Sequence, residues 1–461
     1  MLSFEYIRKN YEKLMMILLM VYFFFIPFSV STVFQKIIPG LPSSFLISGC
    51  VFGGLVILYF MVRKTENFHS IHKQEQVRFL LVFILPIIFS LLVTVYNYFT
   101  LYSVEYGQYL KSDLIKRLIN YVIFFSIFYI STQVISKFKN RTLNKIVWAY
   151  VVALLIITIV GVWQFFSFLY NIPFLNISTR SFVHSVGGKT LFDFRLTSFA
   201  DEPSYLAPFL VDLLIIGYVM VKSKFKYGLF IFIPTIFVLI LSYSLSGYVN
   251  LAILCVLFTF LLLTSNLKNK KIIFYILGLL CLAVIAFYFI FSGKIHEFLE
   301  PIIGRLAGVF DIQKHSRMYM YAMPFVWVFD HSWLSALFGY GPGSFEFIQL
   351  SRLLPNGKAV STTSNNIFVD LIFEHGLFGF VALLYGFVYM GLKLFVIRNK
   401  NDYYLFSLFL FIHLIVTSLY RGDFVTPRFW GILIIVFIFL ELGKRKVNSE
   451  QAANKESGIV E

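Results

Sequence analysis

Long apolar runs recur along the 461-residue chain, separated by shorter polar segments. A helix needs roughly 20 apolar residues to cross the hydrocarbon core of a bilayer, and most of these runs approach that length. Twelve runs qualify, at 14–30, 44–62, 79–97, 118–136, 146–170, 204–221, 227–242, 249–264, 272–292, 366–392, 403–420 and 427–442. The pattern predicts an all-α, polytopic integral membrane protein with about twelve transmembrane helices.

Two of the predicted spans are irregular. The seventh and eighth are separated only by residues 242–247, and one continuous helix of that length would overshoot a bilayer, so we predict a tight hairpin turn there. The tenth is composite, because an amphipathic stretch at 365–375 is followed by Gly376 and Gly379 and then by a fully apolar run. These glycines predict an interruption in the helix.

The spans divide the chain into four parts. Residues 1–292 hold spans one to nine and include an outer loop at 171–203, and residues 365–446 hold the last three spans. Between them lies a large outer, periplasmic loop at 293–364, which we expect to be partly helical. Apolar residues at helical spacing begin near Ile295, and Ser316 has the properties of a helix N-cap. Residues 447–461 are polar, and we expect a disordered cytoplasmic tail.

Composition and charge restrict the class of protein further. The chain is 59% hydrophobic and only 13% charged, about half the charge of an average soluble domain, which excludes a soluble enzyme and a disordered protein. The net charge is +16, yet 24 of the 39 Lys and Arg residues fall in the segments on one side of the predicted spans. Positive charge accumulates on the cytoplasmic side, so both termini are expected in the cytoplasm, and the charge does not indicate nucleic-acid binding.

The remaining 15 basic residues lie on the predicted outer side, and eight of them are arginines: Arg117, Arg180, Arg195, Arg305, Arg317, Arg352, Arg421 and Arg428. Guanidinium groups bind phosphate with two parallel hydrogen bonds, whereas Lys acts as a point charge. This bias indicates an anionic ligand outside the cell membrane. Pairing with loop carboxylates, or contact with lipid headgroups, is the alternative explanation for any single arginine.

Ionisable residues inside the predicted spans are few: Asp212, Asp370, Glu374 and His413 are nearly all of them. A proton-coupled transporter needs a relay of such groups across the bilayer, and these four do not form a convincing one. The three cysteines lie in apolar runs without metal-ligand spacing, so we expect no metal and no cofactor.

Two outer segments combine arginine with turn residues. Residues 195–204 hold Arg195 and end with Glu202 beside Pro203, a pattern that also suits a plain helix start. The second segment begins at Arg317 and includes the glycine-rich residues 339–343, which would allow backbone to approach a ligand closely or would simply form a structural turn.

These segments carry a family resemblance. The chain reads "RLTSFADEPSYLA" from Arg195, "LSYSLSG" from Leu241, "FGYGPGSF" from Phe338, "NN" at Asn365 and "FEHGLFG" from Phe373. In this order, around a large outer loop, the motifs resemble the O-antigen polymerase and ligase superfamily. The resemblance implies action on undecaprenyl-pyrophosphate-linked glycans at the outer leaflet of a bacterial cytoplasmic (inner) membrane, with the active site facing the periplasm or the cell exterior.

The two branches of that superfamily differ at positions present here. Ligases usually carry His-Asn where this chain has Asn365 and Asn366, and often an arginine where it has Leu245. The resemblance therefore implies a polysaccharide (O-antigen-like) polymerase, with an O-antigen ligase that transfers polymer to lipid A core as the alternative. A lipid-linked oligosaccharide flippase is less favoured, because the spans are almost free of charge. A chain-length regulator and a flippase are the implied partners.

We hypothesise roles for individual residues in such a polymerisation. Arg195 and Arg317 would bind pyrophosphate, with Arg421 as a third contact, and Glu202 would be the general base. Asn365 and Asn366 would orient sugars, and we expect Tyr340 and Gly341 at the substrate as well. Because undecaprenyl pyrophosphate is an activated leaving group, the reaction requires no nucleotide.

Overall fold

A computed structural model describes residues 4–31, 43–63, 73–175, 194–221, 225–263, 278 and 316–456. Within these ranges the chain is helical and contains no β-strand; two isolated β-bridges join Ser31 to Ala200 and Leu353 to Ala359. The helices are α1 Phe4–Phe25, α2 Ser43–Arg63, α3 Lys73–Thr100, α4 Val104–Ile135, α5 Asn140–Tyr170, α6 Pro203–Val221, α7 Phe225–Leu241, α8 Leu245–Leu263, α9 Ser316–Ala322, α10 Pro324–Trp327, α11 Trp333–Phe338, α12 Phe345–Ser351, α13 Ile367–Ile397, α14 Asp402–Ser418 and α15 Pro427–Glu456. Short 3₁₀ turns cover Ile26–Val30 and Asp423–Val425.

The all-α, polytopic membrane class predicted from the sequence is confirmed. Seven helices in the described ranges are long and apolar enough to cross a bilayer, namely α1 to α6 and α13. Every predicted span except the one at 272–292 overlaps a described helix, and that span lies outside the described residues apart from residue 278, as does the amphipathic stretch that begins at Ile295. The total of twelve spans therefore stays a prediction.

The predicted turn between the seventh and eighth spans is confirmed. Helix α7 ends at Leu241 and α8 begins at Leu245. Tyr243 adopts a φ of 47°, and the Ser244 hydroxyl caps α8 by accepting a hydrogen bond from the Gly247 amide at 3.3 Å. The residues of 242–247 thus supply both the reversal of the chain and a hydrogen-bond partner for the free amides at the start of α8.

The C-terminal segment differs from the prediction. Residues 447–456, predicted to be disordered, continue α15 as helix. An ion pair of 2.7 Å between Arg445 and Glu441, one turn apart, supports the helix where it leaves the apolar core. The segment is also rich in good helix formers such as Ala, Gln, Lys and Glu, so its polarity marks an exposed helix.

Helix α15 is the centre of the packed bundle. Its residues 427–443 are all buried, which a helix that is apolar on every side requires. Trp430 packs edge-on against Phe125 from α4, with ring centroids 4.9 Å apart, and against Phe83 from α3 at 5.5 Å. These aromatic contacts fix α4 and α3 against the core, and both helices contribute to the site described below.

Helix α13 is broken at Gly376, which adopts φ 68° and ψ −169°. The composite tenth span predicted from the glycines is therefore confirmed. Because of the break, the backbone carbonyls just before it lack the N–H donors that a continuous helix would provide. Donors from a neighbouring loop take their place. Tyr340 N–H donates to the Phe373 carbonyl at 3.0 Å, and Gly341 N–H donates to the Glu374 carbonyl at 3.1 Å. The Ser90 hydroxyl of α3 adds a second bond to the Glu374 carbonyl at 2.6 Å.

Two glycines allow this backbone-to-backbone contact. A Cβ atom on Gly376 would overlap the carbonyl group of Leu337, and a Cβ atom on Gly339 would overlap the carbonyl group of Glu374. Both glycines also have positive φ, which L-residues adopt rarely. The glycine-rich motif predicts a close backbone approach, and the structure shows that the partner in this approach is the broken helix α13.

We expect Gly376→Ala to destabilise the protein by at least about 2 kcal/mol, because the methyl group adds a steric overlap to a strained φ. The measurement is thermal unfolding in detergent followed by tryptophan fluorescence. Gly391→Ala is the matched control: it lies in the same helix, and its nearest contact would be an ordinary 3.8 Å to Phe411. Equal stability of the two variants would contradict the proposed packing of the break.

Candidate active site

A cavity of about 320 Å³ lies beside the break in α13. It collects two arginines and two carboxylates from segments far apart in the chain. Its described lining residues are Arg117, Tyr205, Thr362, Thr363, Asn365, Asp370, Leu371, Glu374, Arg421, Gly422, Phe424 and Thr426. Convergence of fixed positive, negative and neutral polar groups in one cavity is typical of a ligand site.

Arg117 of α4 and Glu374 of α13 form an ion pair across the cavity wall. The Arg117 guanidinium is 2.8 Å from Glu374 Oε1, and the Glu374 side chain is 2% exposed. Tyr121, one turn along α4, donates its hydroxyl to Glu374 Oε2 at 3.2 Å. Among described residues Arg117 has no other hydrogen-bond partner, so most of its five N–H donors stay available to an anion.

The glycine-rich segment 339–343 holds both members of this pair. Its residue Gly343 lies against Arg117, since a Cβ atom there would be 3.2 Å from Arg117 Cβ and 3.4 Å from Nε. Tyr109 of α4 donates its hydroxyl to the Pro342 carbonyl at 3.0 Å, and Tyr106 donates to the Tyr340 carbonyl at 2.5 Å. Residues on one face of α4 thus hold the loop whose amides bind the carbonyls at the break in α13.

Arg421 also lines the cavity and is held by Tyr205 of α6. Its guanidinium donates to the Tyr205 carbonyl at 3.0 Å and lies 4.6 Å from the centre of the Tyr205 ring. The residue is 6% exposed. This contact fixes the planar group near the start of α6, where a cation over an aromatic face is favourable.

Asp370 is the second carboxylate, one turn of α13 before Glu374. Its Oδ1 accepts from the Ser364 amide at 2.8 Å and from the Ser364 hydroxyl at 2.6 Å. Its Oδ2 accepts from the Thr363 hydroxyl at 2.6 Å. The turn that supplies these donors continues through Asn365, whose φ of 60° is one that asparagine tolerates.

Of the residues predicted as substrate contacts, Arg421 and Asn365 line the cavity. Asn366 instead caps α13, where its side-chain oxygen accepts from the Phe368 amide at 2.9 Å. Gly341 packs against Thr94 and Tyr109 of the neighbouring helices. Asn366 and Gly341 therefore contact other parts of the protein and are not among the described residues that line the cavity.

Tyr340 also packs inside the protein. Its ring stacks on Phe373 with centroids 4.7 Å apart, and its hydroxyl donates to the Trp327 carbonyl at 3.2 Å. Burial raises the pKa of Tyr340 to about 12, so the phenol stays neutral at any physiological pH. The Tyr340 side chain supports the loop that meets the helix break.

Arg195, Glu202 and Arg317 are not among the described lining residues. Glu202 precedes α6, and its Oε2 accepts from the Ser204 hydroxyl at 3.1 Å. Arg317 is exposed on α9. Burial raises the pKa of the Tyr321 phenol, the Arg317 guanidinium lowers it, and the Asp370 carboxylate raises it. The Tyr321 phenol on α9 is thus influenced both by Arg317 and by a carboxylate of the cavity.

Sequence reasoning did not assign Arg117, Asp370 or Glu374 to the site. Asp370 and Glu374 were noted as ionisable residues within a span, and Arg117 as one of the outer arginines. For Asp370 and Glu374 the available signal is the cost of charge in a membrane, since such residues mark functional sites by default. The pairing of Glu374 with Arg117 was hidden, because 257 residues separate the two in the chain.

The other two ionisable residues of the predicted spans form a separate buried cluster. Arg428 Nε is 2.9 Å from Asp212 Oδ2, and His413 Nε2 is 3.0 Å from Asp212 Oδ1. Tyr150 donates to Asp212 at 2.7 Å, and Asn250 lies 3.1 Å from His413 Nδ1. This network joins α5, α6, α8, α14 and α15, and each of its three charged or ionisable side chains is no more than 1% exposed.

We expect Arg428→Met to lower the free energy of unfolding by about 3–5 kcal/mol, because it leaves the Asp212 carboxylate buried without its cation. Removing both charges together, in Asp212→Leu with Arg428→Met, should cost less than the single change. Arg352→Ala is the control, since its pair with Asp330 is exposed and should contribute about 1 kcal/mol or less. A double variant less stable than Arg428→Met would contradict this interpretation.

Residues 230–384, a third of the chain, match a family model described as O-antigen ligase. No curated protein matches the chain. The matched part contains the first half of α13 with Asp370 and Glu374, whereas Arg117 and Arg421 lie outside it. Members of that family are membrane glycosyltransferase-like enzymes of the ligase or polymerase type. It confirms the resemblance of this polytopic membrane protein to the O-antigen polymerase and ligase superfamily.

Proposed function

We propose that the protein is a polysaccharide polymerase that transfers a growing glycan from undecaprenyl pyrophosphate onto a new lipid-linked repeat unit. One observation carries the proposal: two guanidinium groups and two carboxylates meet in one cavity beside the break in α13. The guanidinium groups can stabilise the negative charge of a diphosphate leaving group. One of the carboxylates can take up the proton of an acceptor hydroxyl.

Arg117 and Arg421 supply the positive charge for the pyrophosphate. Negative charge builds up on that group as the bond between the sugar and the phosphate breaks. Both guanidinium groups are held in place beforehand, by Glu374 and by Tyr205, so little reorganisation is needed during the reaction. Their mostly buried surroundings strengthen the interaction relative to water.

The other predicted residues keep a place in the proposal. Asn365 offers an amide to sugar hydroxyls from the cavity wall. Arg317, exposed on α9, would meet the pyrophosphate of the second lipid-linked substrate, and Arg195 is the further predicted phosphate contact. Glu202 is the base predicted from the sequence, although it does not line the described cavity.

An O-antigen ligase is the second candidate, and the family match favours it by name. The cavity favours the polymerase, because Asn365 stands where ligases usually carry histidine, and an amide cannot take up a proton at neutral pH. The products separate the two: a polymerase yields a ladder of lengthening glycans, and a ligase transfers glycan to a lipid A core acceptor.

The proposal places the protein in the bacterial cytoplasmic membrane with both termini inside. The cavity then faces the periplasm or the cell exterior, where flipped lipid-linked repeats are found. A flippase that delivers these repeats and a regulator of chain length are the proposed partners, together with the lipid-linked substrates themselves.

We expect Arg117→Ala and Arg421→Ala each to reduce polymer formation on the order of a hundredfold, because each removes charge stabilisation from the leaving group. The assay supplies the purified protein with a synthetic undecaprenyl-pyrophosphate repeat and resolves the products on a sizing gel. Arg352→Ala is the control, since Arg352 pairs with Asp330 away from this cavity. Full ladders from both cavity variants would refute the proposed phosphate site.

Arg317→Ala tests the exposed arginine in the same assay. We expect a higher KM for the lipid-linked substrate with a smaller change in kcat, because an exposed guanidinium contributes to binding more than to the bond-breaking step. A variant with wild-type KM and kcat would remove Arg317 from the mechanism.

A further inference from the structure

The two carboxylates of the cavity have different partners, although they lie one turn apart on α13. Glu374 is paired with Arg117 and accepts a hydrogen bond from Tyr121. Asp370 accepts hydrogen bonds from Ser364 and Thr363 and has no ion pair with a described residue. Glu374 therefore orients a cation, whereas the donors that hold Asp370 are neutral.

The turn at 363–365 holds the Asp370 carboxylate in one orientation. Two of its three hydrogen bonds go to Oδ1, from the amide and the hydroxyl of Ser364. Only the Thr363 hydroxyl donates to Oδ2, and Thr363 Oγ1 is itself fixed by the Asn365 amide at 3.0 Å. One oxygen is thus occupied, while the other retains capacity to accept.

A glycine leaves that second oxygen uncovered. A Cβ atom on Gly422 would lie 2.8 Å from Asp370 Oδ2 and 2.6 Å from Thr363 Oγ1. Gly422 lines the cavity and directly follows Arg421. A side chain at this position would cover Oδ2, so the glycine preserves a path from the carboxylate to a ligand held by the arginine.

We infer that Asp370 is the general base that takes the proton from the acceptor hydroxyl. This inference rests on the proposed function. The acceptor oxygen forms a bond to the anomeric carbon of the donor sugar, and its proton moves to Asp370 Oδ2. The bond from that carbon to the phosphate oxygen breaks, and its electron pair leaves with undecaprenyl pyrophosphate beside Arg117 and Arg421.

Asp370→Asn is the most direct test, because the amide has the size of the carboxylate. Its oxygen can accept from Ser364, and its NH₂ group can donate to Thr363, so the turn keeps its hydrogen bonds. With the full-length protein in lipid nanodiscs and a synthetic lipid-pyrophosphate repeat, we expect kcat to fall at least a hundredfold while KM for the repeat stays within threefold.

Two further variants make the comparison specific. Asp113→Asn is the matched control, since Asp113 lies on α4, pairs with the exposed Lys116 and does not line the cavity; its kcat should equal that of the wild type. Glu202→Gln tests the base predicted from the sequence. A hundredfold loss in Glu202→Gln with near-normal turnover in Asp370→Asn would overturn the inference.

A rescue experiment and a steric variant separate chemistry from structure. Asp370→Ala should recover part of its turnover when sodium formate supplies a carboxylate, which repair of folding would not explain. Gly422→Ala keeps the carboxylate but covers Oδ2, and should lower kcat with little change in KM. If Asp370→Asn does not accumulate, wild-type turnover in Gly422→Ala overturns the inference.

The failure of the two proposals can be distinguished. Wild-type protein that neither extends the repeat nor transfers it to an acceptor would refute the proposed function. Wild-type protein that polymerises, together with an Asp370→Asn variant within fivefold of its kcat, would refute only the assignment of the base.

Discussion

The site depends on one constraint, namely that the backbone carbonyls of a broken membrane helix must find donors within the protein. A carbonyl without a partner costs several kcal/mol in an apolar surrounding. In α13 the carbonyls of Phe373 and Glu374 receive the amides of Tyr340 and Gly341. The loop that satisfies them also presses Gly343 against Arg117, so the same contact sets the position of the ion pair that forms the cavity wall.

The two ionic clusters of the bundle show how similar groups serve different ends. The network around Asp212 places carboxylate, guanidinium and imidazole in mutual contact, with each side chain almost fully buried. It acts as a junction of five helices. The cluster around Asp370 and Glu374 instead opens onto a cavity, and there Arg117 makes one hydrogen bond to a described residue. The charged groups around Asp212 are paired with one another and join helices, whereas Arg117 keeps N–H donors that a ligand in the cavity could use.

Much of the fold could be predicted from the sequence, because apolar runs, the turn at 242–247 and the break at Gly376 are local signals. The cavity could be predicted only in part. Arg421 and Asn365 stood in recognisable motifs, but the partnership of Arg117 with Glu374 depends on how distant helices pack. The glycines at 339 and 341 were open to two interpretations, since a missing Cβ admits a ligand or another backbone equally well. The polar tail was mistaken for disorder because exposed helix and disordered chain share a composition.

The docking of residues 337–341 into α13 has a consequence for the stability of this membrane protein. Tyr340 and Gly341 each precede the carbonyl that they bind by 33 residues, so the segment to be closed is short, which keeps its entropic cost low. The backbone hydrogen bonding of this span is complete only when a loop from outside the span is in place. Substitutions in that loop would therefore destabilise the span within the membrane, although no residue of the span itself had changed.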